Sequence, residues 1–139
     1  MRTRKLATLL AGAALAASTT LMVSAAPASA VGPCGSGYTR VDVYPIPKTG
    51  SRTGTLEVYY NSSAGKNCAL AYGYGSYNGT TTWKGVSISR GNDTGYDVDA
   101  DYYQYYAGPV YVSAPGQCID VSGTVVAGKS IDLEDVHCD

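Results

Sequence analysis

The chain has 139 residues, with thirteen tyrosines, one tryptophan and no phenylalanine, and a formal net charge of −1 at pH 7. Without its first 30 residues, which hold three of the ten basic residues, it would carry seven basic and eleven acidic residues, a charge of −4. This acidic balance argues against nucleic acid as a partner and against adsorption to an anionic membrane, because both require a basic surface.

Residues 1–30 have the three-part layout of a secretory signal peptide. Three basic residues precede an apolar run over residues 6–17, and small residues at 28–30 form a cleavage site. A transmembrane anchor would need about 20 uninterrupted apolar residues, whereas Ser18 ends this run. The pattern therefore predicts a secreted protein without membrane insertion, in which residues 31–139 form a single extracellular β domain.

Apolar and polar residues alternate along most of the remaining chain, as they do in half-buried strands. The clearest runs are residues 40–44, 56–60, 86–89, 110–113 and 131–134. Turns rich in glycine and asparagine separate them, including Asn78-Gly79, a pair typical of tight hairpins. The runs predict an all-β fold, a single small antiparallel β-sandwich or barrel, with the strand order left open.

Four cysteines remain in the predicted exported domain, and an even number favours two disulfides in an oxidising environment. Three pairings are possible. We favour Cys34 with Cys68 and Cys118 with Cys138, since each pair then closes one excursion of the chain without crossing the other. A zinc site is a poor alternative, because there is no Cys-x-x-Cys pair and His137 is the one histidine.

The most acidic segment, residues 93–101, places Asp97, Asp99 and Asp101 on one face of a predicted strand. Clustered carboxylates are the ligands that calcium prefers, so these three residues are candidate metal ligands. The glycine and the closing glutamate of a calcium-binding loop are missing. A solvated strand face accounts for the same residues, and no other cofactor is indicated.

The segment YYQYY at residues 102–106 gives each face of an extended strand two tyrosines. If one face is turned inward, the other exposes Tyr103 and Tyr105. With Trp83, these rings form a candidate binding surface for sugars or protein partners. Ordinary packing between neighbouring strands explains the same residues, and tyrosine suits a thin domain with little interior.

Catalysis has little support in the sequence. A serine–histidine–carboxylate triad would have to use His137, which lies beside Cys138 and has no Gly-x-Ser-x-Gly motif to accompany it. Cysteines in disulfides are not nucleophiles. We therefore expect no catalytic residues and a protein that is not an enzyme.

Four phrases mark the chain: CGSGY at residues 34–38, YNSSAGKNC at 60–68, YAGPVYVSA at 106–114 and GQCID at 116–120. Together they resemble the spore-associated protein A family, small exported proteins of spore-forming filamentous bacteria. The resemblance implies an extracellular or spore-surface location and brings no catalytic residues with it. The acidic segment lies outside these phrases, so a metal site there would be particular to this chain.

Three functions are compatible with these observations. The first is a non-enzymatic structural or matrix component whose partners are spore or cell-wall surface components. The second is a glycan- or cell-wall-binding module that uses exposed aromatic residues, and the third is a secreted inhibitor of a hydrolase. The predicted export, the tyrosine-rich strands and the resemblance favour the first. The ligand and any self-association remain open.

Overall fold

The computed structural model describes residues 31–138, and the predicted signal peptide at residues 1–30 lies outside them. The described chain forms eight strands and a short 3₁₀ helix at Gly75–Tyr77. The strands are β1 (Thr39–Ile46), β2 (Gly54–Asn61), β3 (Lys66–Gly73), β4 (Thr82–Arg90), β5 (Asp97–Tyr103), β6 (Tyr106–Ser113), β7 (Ile119–Val126) and β8 (Lys129–Val136).

These strands form two four-stranded antiparallel sheets. The first sheet has the order β1-β2-β3-β6, and the second has the order β5-β4-β7-β8. The sheets do not close on each other, so the predicted all-β fold is confirmed as a sandwich and the barrel alternative is not adopted. In the described residues, none of the helices has the length and apolar character needed to cross a bilayer.

The main core fills the space between the sheets, where alternate residues of each strand point inward. Its buried apolar side chains are Ile46, Leu56, Val58, Ala69, Ala71, Val86, Ile88, Ala107, Val110, Val112, Ala114, Ile119, Val121, Val125 and Ile131. β7 alternates along its whole length. Gly123 stands at one of its inward positions, because Ile46 and Leu56 occupy the space that a larger side chain would need.

A second apolar cluster lies on the outer face of the first sheet. It comprises Cys34, Tyr59, Cys68 and Leu70, with Tyr38, Tyr72 and Tyr111 packed against them. The Cys34–Cys68 disulfide holds the segment before β1 over this face. The hydroxyl of Tyr111 donates to the backbone carbonyl of Cys34 at 3.0 Å, and the Tyr38 ring meets the Tyr111 ring edge-on. Tyr111 therefore packs its ring in this cluster while its hydroxyl stays hydrogen-bonded.

The second disulfide, Cys118–Cys138, joins the start of β7 to the residues after β8, so both predicted pairings are confirmed. Beside it, the chain end meets β1 of the other sheet. The hydroxyl of Tyr44 donates to Asp42 at 2.7 Å and lies 3.3 Å from Nε2 of His137. This contact connects the β1 edge of the first sheet with the β8 side of the second.

Replacing both cysteines of one bridge by serine should destabilise the fold to different extents. The bridges span 34 and 20 residues, so the chain-entropy model gives about 4 and about 3 kcal/mol. We expect the free energies of unfolding of the two variants to differ by more than this, because loss of the Cys34–Cys68 bridge also releases the second apolar cluster. Urea unfolding of the two double variants measures it. A lower midpoint for the variant without Cys118–Cys138 would contradict this account.

Candidate functional site

The segment made of β5, the turn at residues 104–105 and β6 connects the two sheets. We call it the β5–β6 hairpin, although its two strands do not pair with each other. β5 is an edge strand of the second sheet and β6 is an edge strand of the first. The two strands follow each other in the chain, yet β5 pairs with β4 and β6 pairs with β3. The outer edge of β6 therefore has backbone N–H groups without a strand partner, and these need other acceptors.

Two carboxylates of β5 supply those acceptors. Asp97 Oδ2 accepts a hydrogen bond from the backbone N–H of Tyr111 at 2.8 Å, and Asp99 Oδ2 accepts one from Gly108 at 2.7 Å. Donors three residues apart in a regular strand point to opposite edges. β6 has an extra residue opposite Leu70, and this bulge brings both N–H groups to the same side.

Two of the three predicted metal ligands contact the backbone of β6. Asp97 and Asp99 bind the backbone of β6, whereas Asp101 is exposed and accepts a hydrogen bond from the N–H of Tyr102 at 2.7 Å. Across residues 31–138, no group of three or more acidic, histidine or cysteine side chains is placed to hold a metal ion. The part of this face that carries Asp97 and Asp99 therefore lies against β6, and both carboxylates are partly buried.

Tyr103 is partly buried, whereas Tyr105 is exposed. β5 ends at Tyr103, so the alternation of a strand does not continue through the turn to Tyr105. The Tyr103 ring packs against the main core, and its hydroxyl donates to Asp99 Oδ1 at 2.6 Å. This hydrogen bond to a carboxylate raises the pKa of Tyr103 to about 12.

A fully buried lysine fixes the end of β5. Lys84 Nζ donates to the backbone carbonyls of Tyr103 at 2.8 Å and Thr80 at 2.9 Å, and to the Thr82 hydroxyl at 2.9 Å. Burial lowers the pKa of its ammonium group. Lys84 was not among the predicted site residues, although its spacing of two residues from the inward-facing Val86 indicated a buried position.

Six residues of the β5–β6 hairpin line a surface cleft of about 340 Å³. We call it the tyrosine cleft; its residues are Asp99, Tyr103, Gln104, Tyr105, Tyr106 and Gly108. Tyr105 and Tyr106 are 53% and 45% exposed. Gly108 has a φ of 102°, and an added Cβ would lie 2.8 Å from the carbonyl oxygen of Ala69. The backbone here requires glycine.

Hydrogen bonds hold the turn of the hairpin in place. The backbone N–H of Gly79 donates to the carbonyl of Gln104, and the Gln104 side chain donates back to the carbonyl of Gly79, both at 3.1 Å. The N–H of Gly73 donates to the carbonyl of Tyr105 at 2.9 Å. These hydrogen bonds fix the turn that carries the aromatic rings of the cleft, which favours a binding site that is already formed before a ligand binds.

Trp83 lies apart from the tyrosine cleft. It faces Tyr102 on the neighbouring strand, with ring centroids 5.5 Å apart, on the outer face of the second sheet. Because Tyr102 and Tyr103 are adjacent in β5, they point to opposite faces. The three predicted aromatic contacts are therefore separated: Tyr103 and Tyr105 line the cleft, and Trp83 belongs to an outer aromatic pair with Tyr102.

His137 does not meet a serine in the described part of the chain; its Nε2 lies 3.3 Å from the Tyr44 hydroxyl and 3.9 Å from Asp42 Oδ2. Burial, together with the hydrogen bond that the Tyr44 hydroxyl donates to that carboxylate, raises the pKa of Tyr44 to about 12. The arrangement connects two sheet edges, as described above.

Comparison with known proteins gives one informative relative. The chain is 41% identical over 116 residues to a curated protein from Streptomyces coelicolor named spore-associated protein A, an alignment that covers 83% of this chain and 66% of the relative. The chain belongs to the spore-associated protein A family. No protein-family profile matches the chain, and no solved structure matches it.

Membership of the spore-associated protein A family confirms the resemblance carried by the four phrases. The chain spans just under two thirds of the relative's own length. The phrase at residues 106–114 coincides with β6 and includes Tyr106 and Gly108 of the tyrosine cleft. Asp99 and Tyr103 lie outside the four phrases.

Replacing Asp99 by asparagine should lower the pKa of Tyr103 from about 12 towards its ordinary value of 10, because the carboxylate that stabilises the protonated phenol is lost. Tyrosinate absorbance measured during an alkaline titration should then show one fewer late-titrating tyrosine. Tyr103→Phe is the control and should remove the same tyrosine from the late phase. A late phase of unchanged size in both variants would refute the assignment.

The same substitution has a consequence for stability at high pH. The pKa of Tyr103 is raised in the folded chain, so its protonated hydroxyl stabilises the folded state. This contribution to the free energy of unfolding is complete below about pH 10 and is lost as the pH rises through about 12. Urea unfolding between these pH values should show a shallower decline for Asp99→Asn than for the unmodified protein. An equally steep decline in both would count against this linkage.

Replacing Lys84 by methionine should destabilise the protein by about 2 kcal/mol, because the partly buried carbonyl groups of Thr80 and Tyr103 lose their donor. Removal of a buried ammonium group offsets part of this cost. Lys129→Met, at an exposed position of β8, is the matched control and should change stability little. Hydrogen exchange should also become faster at residues 103–106 in Lys84→Met. Unchanged exchange there would show that Lys84 does not brace the hairpin.

Proposed function

We propose that the protein is exported and serves, without catalysing a reaction, as a structural or matrix component attached to the spore or cell surface. The observation that carries this proposal is the 41% identity to a protein named spore-associated protein A. The signal-peptide pattern of residues 1–30 and the two disulfides support export, because disulfides persist in oxidising compartments.

The chemistry of the described residues supports a non-enzymatic role. The four cysteines are paired in disulfides, and the one histidine contacts a tyrosine hydroxyl and a carboxylate at a sheet edge. Their side chains therefore contribute to the fold. The exposed aromatic residues of the β5–β6 hairpin remain as the chemically distinctive surface, and such rings often dominate binding energy.

Attachment through the β5–β6 hairpin follows from this distribution. The outer aromatic pair and the tyrosine cleft lie on opposite faces of the hairpin end. Tyr106 also touches Tyr72 of the first sheet, with ring centroids 5.2 Å apart. The chain is acidic and would be repelled by an anionic surface. Attachment should accordingly depend on aromatic contacts and persist in high salt.

Fractionation of a sporulating culture that carries a C-terminally tagged chain tests the proposal. We expect the protein to sediment with washed spores or cell walls and to remain there after a high-salt wash, because screening weakens only charge contacts. A chain that begins at residue 31 is the control and should stay inside the cells. Recovery of the full chain wholly from the medium would overturn the surface role.

A further inference from the structure

We propose that the tyrosine cleft binds an uncharged sugar unit of a surface polysaccharide. This inference names the ligand of the attachment surface and rests on the proposed function. The cleft has a volume of about 340 Å³, within the range of about 300–1,000 Å³ found for small-molecule sites. Its lining combines aromatic rings with a few polar groups, the composition that such sites share.

The ring walls of the cleft suit the faces of a sugar. Tyr105 and Tyr106 are about half exposed, so each offers ring surface to a ligand. The faces of aromatic rings carry partial negative charge, and the C–H groups of a pyranose carry partial positive charge. Because the turn that presents these rings is braced by backbone hydrogen bonds to Gly73 and Gly79, little ordering is required when a ligand binds.

The polar groups of the cleft suit sugar hydroxyls. Each oxygen of Asp99 already accepts one protein hydrogen bond, from the Tyr103 hydroxyl and from the N–H of Gly108. A carboxylate offers about four acceptor sites, so two are left for hydroxyl donors. The Gln104 side chain uses its NH₂ group on Gly79, which leaves its carbonyl oxygen as a further acceptor.

The charge of the cleft selects an uncharged ligand. Its six lining residues include one carboxylate and no lysine, arginine or histidine. An anionic polymer would place like charges near Asp99 without a compensating cation, which costs binding energy. Beyond the cleft, the Tyr106 ring contacts Tyr72 on the first sheet. This second ring extends the aromatic surface and favours a polysaccharide chain over a free monosaccharide.

Retention of the purified domain, residues 31–139 with both disulfides formed, on insoluble polysaccharides tests the proposal. The uncharged probes are chitin, cellulose and a β-1,3-glucan, and the anionic probe is polygalacturonate. We expect retention on at least one uncharged probe and none on polygalacturonate. Retention on no uncharged probe, or a preference for the anionic one, would overturn the proposal.

Variants assign the binding to the tyrosine cleft. Tyr105→Ala and Tyr106→Ala should each weaken retention about tenfold, the effect of losing one aromatic contact. Tyr105→Phe should retain most of the affinity because it keeps the ring. Tyr96→Ala is the matched control, since Tyr96 is 65% exposed just before the opposite end of β5. Equal retention of Tyr105→Ala and Tyr96→Ala, with unchanged circular dichroism, would refute the site.

Failure of this inference can be separated from failure of the surface role. If the protein sediments with spores but no uncharged polysaccharide retains it, the sugar site is wrong and the surface role stands. If an uncharged polysaccharide retains the domain and Tyr105→Ala loses it, while the full chain stays in the medium, the sugar site stands and the spore-surface role is wrong.

Discussion

Hydrogen bonds that two carboxylates of β5 accept from backbone N–H groups of β6 hold the two sheets together where the chain crosses between them. Without them, the partly buried N–H groups of Gly108 and Tyr111 would lose their partners, which costs about 1–3 kcal/mol for each group. Ionised acceptors make stronger hydrogen bonds than neutral ones. The edge of the sandwich is therefore closed by side chains, and the position of the hairpin depends on them.

The small size of the domain explains why so much of its structure depends on tyrosines, disulfides and polar contacts. A chain of this length buries only about two thirds of its unfolded surface, and the main core consists largely of valine, isoleucine and alanine. Tyrosines extend apolar packing to the outer face of the first sheet, where Tyr59 and Tyr111 also make hydrogen bonds through their hydroxyls. The Cys34–Cys68 bridge holds the covering segment there.

Local sequence patterns predicted both disulfides and strands within β1, β2, β4, β5, β6 and β8, because alternation and cysteine order depend on neighbours in the chain. No run was predicted for β3 or β7. The hydrogen bonds of Asp97 and Asp99 depend on which strand lies opposite β5, and the order of strands cannot be read from the alternation of residues. Tyr103 is partly buried and Tyr105 is exposed because β5 ends at Tyr103, so the alternation of the strand does not continue through the turn to Tyr105. The charge of Lys84 suggested an exposed position. Its spacing of two and four residues from the inward-facing Val86 and Ile88 instead indicated the buried position that the structure has.

The same residues that close the sandwich also shape the tyrosine cleft. Asp99 accepts from Tyr103 and Gly108 and lines the cleft, and Lys84 holds the carbonyl of Tyr103 from the core side. A polar network of this kind is rigid only when all of its members are satisfied, and within the described residues no buried side-chain nitrogen or oxygen lacks a partner. The hairpin can therefore present exposed tyrosine rings at fixed positions, although it lies at the edge of a small domain.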